Sequence, residues 1–287
     1  MPSVRDILVR QNAYQDSLLY TFESHLREIV MRAQGRTMAI LQQRLKITDG
    51  VIDSTPGNLM QLRAANKIFL AELEEAGYSR LVEAFVGEFR GSLQFLDETV
   101  AFLGDQVDQK WRVEFTARDR NLLAGMQGNT VWAIEETMQA VSGAAITRGL
   151  FGVAGLRFSS LVDLLSEKLE TSIARARTIA DTSMSTFYRT AAARAFQAIE
   201  ADLPEQELKY RYSGPVDKLE RPFCRHLTDV DKGYTREAID KMSNGQLPNV
   251  WLTGGGWNCR HQWILDTRDL ETSPSTAQSP ALAMPQR

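Results

Sequence analysis

The chain has 287 residues, 43% of them hydrophobic and 24% charged, with 33 Lys and Arg against 36 Asp and Glu and a formal net charge of −3. This supplies enough apolar material for a core in one large or two smaller domains, and it excludes general disorder and a global basic field for nucleic acid or anionic lipid, so any DNA contact must be local. Two cysteines in this length exclude a secreted disulfide framework and suit folding in a reducing cytoplasm, with a single later bridge left open.

The opening run, MPSVRDILVRQNAYQDSLLY, mixes charges into every turn and lacks the apolar core of a signal peptide. No run of ~18 apolar residues occurs elsewhere, so neither export by a standard signal nor a membrane span is expected. From Val4 to about Lys46 the apolar residues recur at helical spacing, among them Ile7, Leu8, Tyr14, Leu18, Phe22, Leu26 and Ile29, which predicts one amphipathic helix or two in series. TDGVIDSTPGN concentrates turn residues, with Ser54 or Thr55 before Pro56 as the next helix start. A second helix is predicted from about Leu59 to Glu75 and a third from Tyr78 to Leu103. A further helix follows the break around WRVEFTARDR.

Residues 1–142 thus read as a helical region. Residues 143–156 carry Gly143, Gly149, Gly152 and Gly155 among small apolar residues and read as a glycine-rich connection between packed helices, or in a sharper form as a mobile hinge or insertion segment. Residues 157–204 meet no Gly, and no Pro before Pro204. There Leu161, Leu165, Leu169 and Ile173 trace one stripe of a long helix that Ser159 or Ser160 can cap. Its later arginines, Arg175, Arg177, Arg189 and Arg194, read as a solvated face, because the local charge balance is near neutral.

From residue 205 to 267 the pattern changes. Leu208 to Tyr212 predicts a strand closed by Ser213-Gly214-Pro215, TREAIDKM a short helix capped by Thr235, and NVWLTGGGWNCRHQWILDT two extended pieces around a glycine turn. Trp251, Trp257 and Trp263 are expected to supply much of the packing of this small module. Residues 268–287 are rich in Pro, Ser, Ala and Gln without apolar period and read as a disordered tail. The fold class expected is mainly α, an extended multi-helix N-terminal region with a long helix leading to a small α+β C-terminal module.

Both cysteines and two of the three histidines fall in one tripeptide used twice, Cys224-Arg225-His226 and Cys259-Arg260-His261. Cys224, His226, Cys259 and His261 match in number the ligands of a tetrahedral structural zinc, provided both tripeptides lie off a helix, where positions i and i+2 share a face. Pro222 and Gly254 to Gly256 favour such backbone. The one-residue spacing nevertheless departs from the usual two of a zinc knuckle. A Cys224 to Cys259 disulfide stays open beside zinc, as does a reduced, packed pair with its histidines bonded to backbone. Asp217, Glu220, Asp229 and Asp231 are available to pair with Arg225 and Arg260. Cysteine beside histidine also satisfies the residue types of nucleophile and base, the least specific kind of match. No Gly-x-Ser-x-Gly, phosphate loop or His-Glu-x-x-His occurs, and TGGGWN lacks the helix and lysine of a phosphate cradle. Catalysis is not expected; the alternative is a zinc- or cysteine-dependent enzyme module carried on a helical arm.

GPVDKLERPFCRHL followed by YTREAIDKMSNGQLPNVWLTGGGWNCRHQW resembles the C-terminal module of the phage Mu F-like head morphogenesis proteins, the minor capsid proteins of tailed phages. The family's Asp-x-x-x-Arg-x-x-Cys element falls on Asp217, Arg221 and Cys224, and its Asn-Cys-Arg-Cys or Asn-Cys-Arg-His element on Asn258, Cys259, Arg260 and His261. His261 stands where cysteine is frequent, which weakens a disulfide and leaves a metal open. The resemblance covers about residues 208–264 and implies a non-enzymatic virion component in the capsid interior, made in the host cytoplasm during assembly. Its implied partners are the portal protein, capsid or scaffold proteins and packaged DNA, with ejection alongside that DNA left open. Asp217 and Arg221 are then expected to order a first loop, with Asn258, Cys259, Arg260 and His261 holding a second against it through Cys224.

Overall fold

A computed structural model describes residues 3–150, 155, 157–203, 206–268 and 270, with the backbone alone described for 141–150. Helix α1, Val4–Arg44, is a single 41-residue helix. Ser3 and Asp6 cap it reciprocally, the Asp6 N–H donating to Ser3 Oγ at 3.2 Å and the Ser3 N–H to Asp6 Oδ2 at 2.7 Å. Two short strands follow, β1, Ile47–Thr48, and β2, Val51–Ile52, joined by Asp49 and Gly50 with φ of 51° and 77°. An Asp-Gly pair in left-handed backbone is the tight turn whose twist suits a two-residue hairpin.

Helix α2, Pro56–Glu75, starts where predicted, with Thr55 as cap and Pro56 in the first turn. Asn58 fixes that start. Its buried amide accepts from Lys46 N–H at 2.8 Å and donates to the carbonyls of Lys46 and Asp53, each at 2.8 Å. Replacing it by alanine strands these backbone groups, each costing about 1–3 kcal/mol when buried and unpaired. We expect Asn58→Ala to lower unfolding free energy by about 2 kcal/mol, read from urea midpoints; a shift within error would show that water replaces the side chain.

The helix expected from Tyr78 to Leu103 is broken. Helix α3 covers Tyr78–Gly87, a 3₁₀ segment Glu88–Ser92, and α4 Leu93–Gln106. The break presses against α1: a Cβ at Gly91 would stand 2.1 Å from Tyr14 Oη, and that hydroxyl donates to the Glu88 carbonyl at 3.2 Å. Helix α5, Ala117–Leu150, continues through the first half of the glycine-rich stretch 143–156, so 143–150 is helical rather than irregular. Residues 151–154 and 156 lie outside the described residues.

Helix α6, Phe158–Asp202, is the long helix foreseen from 157 to 204. Its cap is Arg157 without a side-chain bond, not Ser159 or Ser160, which sit inside the first turn. The hairpin anchors it: Arg157 bridges Val51, and the Phe158 N–H donates to the Gly50 carbonyl at 2.9 Å. Between Met184 and Ile199 its buried residues occupy every side, among them Phe187, Tyr188, Ala191, Ala192, Ala193, Ala195 and Phe196. A helix covered all round has elements packed on all faces. Here they are the N-terminal helices on one side and the C-terminal module on the other.

That module holds β3, Lys209–Ser213; α7, Pro222–Val230; β4, Tyr234–Thr235; α8, Arg236–Asp240; α9, Val250–Thr253; and β5, Gln262–Leu265. The strands form an antiparallel sheet in the order β4-β3-β5, with Tyr212 opposite Trp263. Thr235 caps α8 as predicted, but one of the two expected extended pieces is the short helix α9. Trp251 and Trp263 are buried, whereas Trp257 is 42% exposed and does not serve the core. Arg268, assigned by sequence to the tail, pairs with Asp266 at 2.7 Å and Asp231 at 3.2 Å and belongs with the module; residues 271–287 lie outside the described residues.

One apolar interior runs from Ile7 to Leu265. Ring contacts Phe22–Phe85, Phe85–Phe89 and Phe89–Phe187 lead through the helices to α6, and Phe196–Tyr210 and Tyr210–Trp251 continue from α6 into the module. Among the described residues, no helix is long and apolar enough to cross a membrane.

Candidate functional site

The two Cys-Arg-His tripeptides fold differently. Pro222 is the first residue of α7, where its missing N–H costs nothing and its fixed φ suits a helix, so Cys224 to His226 is helical. Positions two apart on a helix diverge, and accordingly Cys224 points inward while His226 is exposed. Cys259 to His261 lies off any helix, between a turn and β5, and Cys259 and His261 are both buried. The four-ligand set read from the sequence therefore loses His226. Cys224, Cys259 and His261 remain, one donor atom from each lying within 4.8 Å of the others, and this buried trio could hold a metal ion.

The two sulfurs are 3.8 Å apart, and both cysteines are free thiols rather than the disulfide considered above. Their surroundings are unequal. Cys259 Sγ accepts from the backbone N–H of Gly255 at 3.1 Å and of His261 at 3.4 Å, with the buried Tyr212 hydroxyl 3.3 Å away. Its pKa is pulled well below the usual thiol range, first by the hydrogen bond with Cys224, with the Arg189 guanidinium contributing, against the opposing effect of burial. Cys224 is pushed far upward by the same bond and by burial. The pair is therefore unequal: Cys259 is the thiol more readily ionised and Cys224 the one that keeps its proton. Burial, then the two sulfurs, raise Tyr212 well above the usual phenol range.

Arg189 was missed by the solvated-face reading of α6. It is 5% exposed, and its guanidinium donates to the carbonyls of His261 at 2.9 Å, of Leu252 at 3.5 Å and of Cys259. The signal that could have found it is its setting, YRTAAARAF, where small apolar residues on all sides mark a buried helix in which an arginine must be paired.

The remaining motif residues join the loops. Asp217 pairs with Arg260 at 2.7 Å, and Arg221 donates to the Gly255 carbonyl at 2.8 Å. The Arg260 ion pair, ahead of other contributions, holds the Asp217 carboxyl below the usual carboxylate range. His261 Nε2 lies 3.2 Å from Glu220 Oε1, which also accepts from Thr228 Oγ1 at 2.8 Å, so the ring is held by a buried carboxylate that is itself held. Glu220 was foreseen only as an arginine partner, and Arg225 does approach it at 3.8 Å. Asp231 instead takes Arg211 and Arg268. Asn258, at a φ of 53°, turns away from the sulfurs: its N–H donates to Thr182 Oγ1 on α6 at 3.2 Å.

Cys224, Cys259 and His261 border a cavity of about 520 Å³ between the clasp that these two loops form and helices α1 and α6. Arg221, Arg260, Asp16 and Asp181 also line it. Burial, and next Asp16, raise the Asp181 carboxyl to about 6. The chain matches no protein-family model, no curated protein and no solved structure.

Proposed function

We propose that the chain is a minor head protein of a tailed phage, a structural virion component that associates with the portal inside the capsid. Its helices would carry the partner contacts and its terminal module would act as a compact, non-catalytic docking unit. The observation that supports this reading is the clasp: the two elements that resemble the Mu F-like family lie thirty-five positions apart at their cysteines, yet they are tied by Asp217 to Arg260 and by Arg221 to the Gly255 carbonyl. In this reading the finer form of the metal fit is a structural zinc that closes the clasp. The test is affinity purification of the tagged full chain expressed together with the genes that flank it. Portal and capsid proteins are expected to co-purify and the chain to sediment with procapsids. A chain that sediments alone while the portal assembles without it would overturn the reading.

A second reading, a zinc- or cysteine-dependent enzyme module on a helical arm, draws on one observation, that the thiol pair and His261 border a polar cavity rather than a sealed core. Steady turnover of hydrolysable esters that is abolished by Cys259→Ser would favour it over the head-protein reading.

A further inference from the structure

The geometry points to a three-ligand site for a zinc-class ion, with Cys224, Cys259 and His261 as protein ligands and the fourth coordination position open to an exchangeable small donor, water or a small anion, from the adjoining cavity. This rests on the metal fit stated above and changes its coordination. Sequence suggested an ion closed off by four side chains, whereas the fold supplies three and a chamber.

Four observations carry it. First, two thiolates bound at the ~2.3 Å length of a tetrahedral zinc–sulfur bond stand about 3.8 Å apart, and Cys224 Sγ and Cys259 Sγ are separated by 3.8 Å. A disulfide would need them at about 2.05 Å. Closing the trio from its 4.8 Å outer limit takes an inward movement of about 1 Å by the imidazole, since nitrogen and sulfur on one tetrahedral zinc lie about 3.6 Å apart.

Second, the donors are already prepared for a cation. Cys259 Sγ receives two backbone N–H groups, from Gly255 and His261, and the Tyr212 hydroxyl is in reach of both sulfurs, at 3.3 and 3.7 Å. Third, Glu220 bonds the Nε2 of His261 and is in turn bonded by Thr228. Such a carboxylate behind an imidazole fixes its orientation and raises its basicity as a ligand. It also leaves Nδ1 as the ring atom available to an ion.

Fourth, no further His, Cys, Asp or Glu among the described residues joins the trio, and the Tyr212 hydroxyl beside the sulfurs is raised well above the usual phenol range, which disfavours the phenolate a metal would take. His226, the sequence candidate, is exposed on α7. What adjoins the trio is the cavity of about 520 Å³, whose wall carries Asp16, Asp181, Arg221 and Arg260. Structural zinc sites are closed by four protein ligands, while three ligands and a solvent-facing position are the mark of a site that exchanges its fourth partner. Carboxylates along the wall can accept hydrogen bonds from a bound water, and the guanidinium groups suit a small anion in its place. Two thiolates and an imidazole select soft or borderline ions over Mg²⁺ or Ca²⁺, which take oxygen donors.

The test uses the full chain, kept reduced, stripped by a chelator and titrated with Co²⁺ as a spectroscopic stand-in for zinc. One equivalent is expected to bind, with a near-ultraviolet thiolate-to-cobalt band and visible bands typical of four-coordination, and zinc is expected to displace it. Azide is then expected to shift the visible bands, because it replaces the water at the open position. His226→Ala is expected to bind as the parent does, and Glu220→Gln to bind roughly 10- to 100-fold more weakly, as loss of a carboxylate behind a ligating histidine does. No stoichiometric cobalt binding overturns the metal fit and this inference together. Binding with a spectrum indifferent to azide, or binding lost in His226→Ala, leaves the metal fit standing and overturns the open position. Each of these outcomes is independent of whether the chain enters procapsids.

Discussion

Arg189→Ala is expected to lower the unfolding free energy by about 4 kcal/mol, because it strands up to three carbonyls at about 1–3 kcal/mol each. For a chain of this size that corresponds to a melting point lower by roughly 7 °C. The argument turns on what is left behind. Among the described residues the guanidinium is the only side chain shown bonding the carbonyl of Cys259, it shares that of His261 with the more distant Cys259 thiol at 3.9 Å, and both of those residues are buried. Ejecting a buried charge returns some desolvation energy, so the loss falls below the sum of three broken bonds. Arg189→Met separates the contributions, since it keeps most of the volume and none of the donors. If methionine restores the stability, packing rather than hydrogen bonding holds α6 to the module. Under conditions where the chain stays folded, the variant should also reduce the reactivity of Cys259 toward a thiol reagent, because the guanidinium is one of the groups that lower that thiol's pKa. A loss below 1 kcal/mol in urea melts would sink the idea that α6 anchors the clasp.

The sequence was most readable where local signals decide the structure. The helical period of α1, the Thr55-Pro56 start of α2, the uninterrupted α6 and the Thr235 cap of α8 all stand as expected, because caps and apolar period act within a few residues. It failed where the deciding contact is distant. The kink between α3 and α4 is set by Tyr14 from α1, seventy-four positions away, pressing on Glu88 and Gly91. At the clasp, Asp217, Arg221, Cys224, Cys259, Arg260 and His261 do come together, while Asn258 turns to α6 instead. The misjudged residues have two causes. Pro222 was weighed as a helix breaker although it stands at a first helical position, and that single misreading made His226 look like a ligand. Arg189 and Glu220 are polar groups buried by a fold that no local pattern announces.

Gly214→Ala offers a sharper test of how tightly the clasp is built, with an expected loss of about 3 kcal/mol from overpacking. A Cβ there would lie 2.6 Å from His261 Cδ2, 2.7 Å from Cγ and 2.9 Å from the Cα of the same residue. Because the last of these is backbone, the chain entering β5 must move, or Gly214 must, and the Glu220 contact with His261 moves too. Gly255→Ala places its Cβ 2.3 Å from Cys224 Sγ, a closer approach to an atom better able to retreat, since it ends a side chain. The smaller stability loss is therefore expected at Gly255, at about 1–2 kcal/mol, with the two sulfurs driven apart. Gly35→Ala supplies the control, since nothing lies within 4 Å of a Cβ at that exposed position in α1. It is expected to stabilise by about 0.5–1 kcal/mol through helix propensity alone. If all three substitutions gave the same change in urea midpoint, the close approach of the two loops would carry no energetic weight. A loss at Gly214 larger than at Gly255, against a gain at Gly35, follows only if backbone at β5 is fixed more firmly than the thiol beside it.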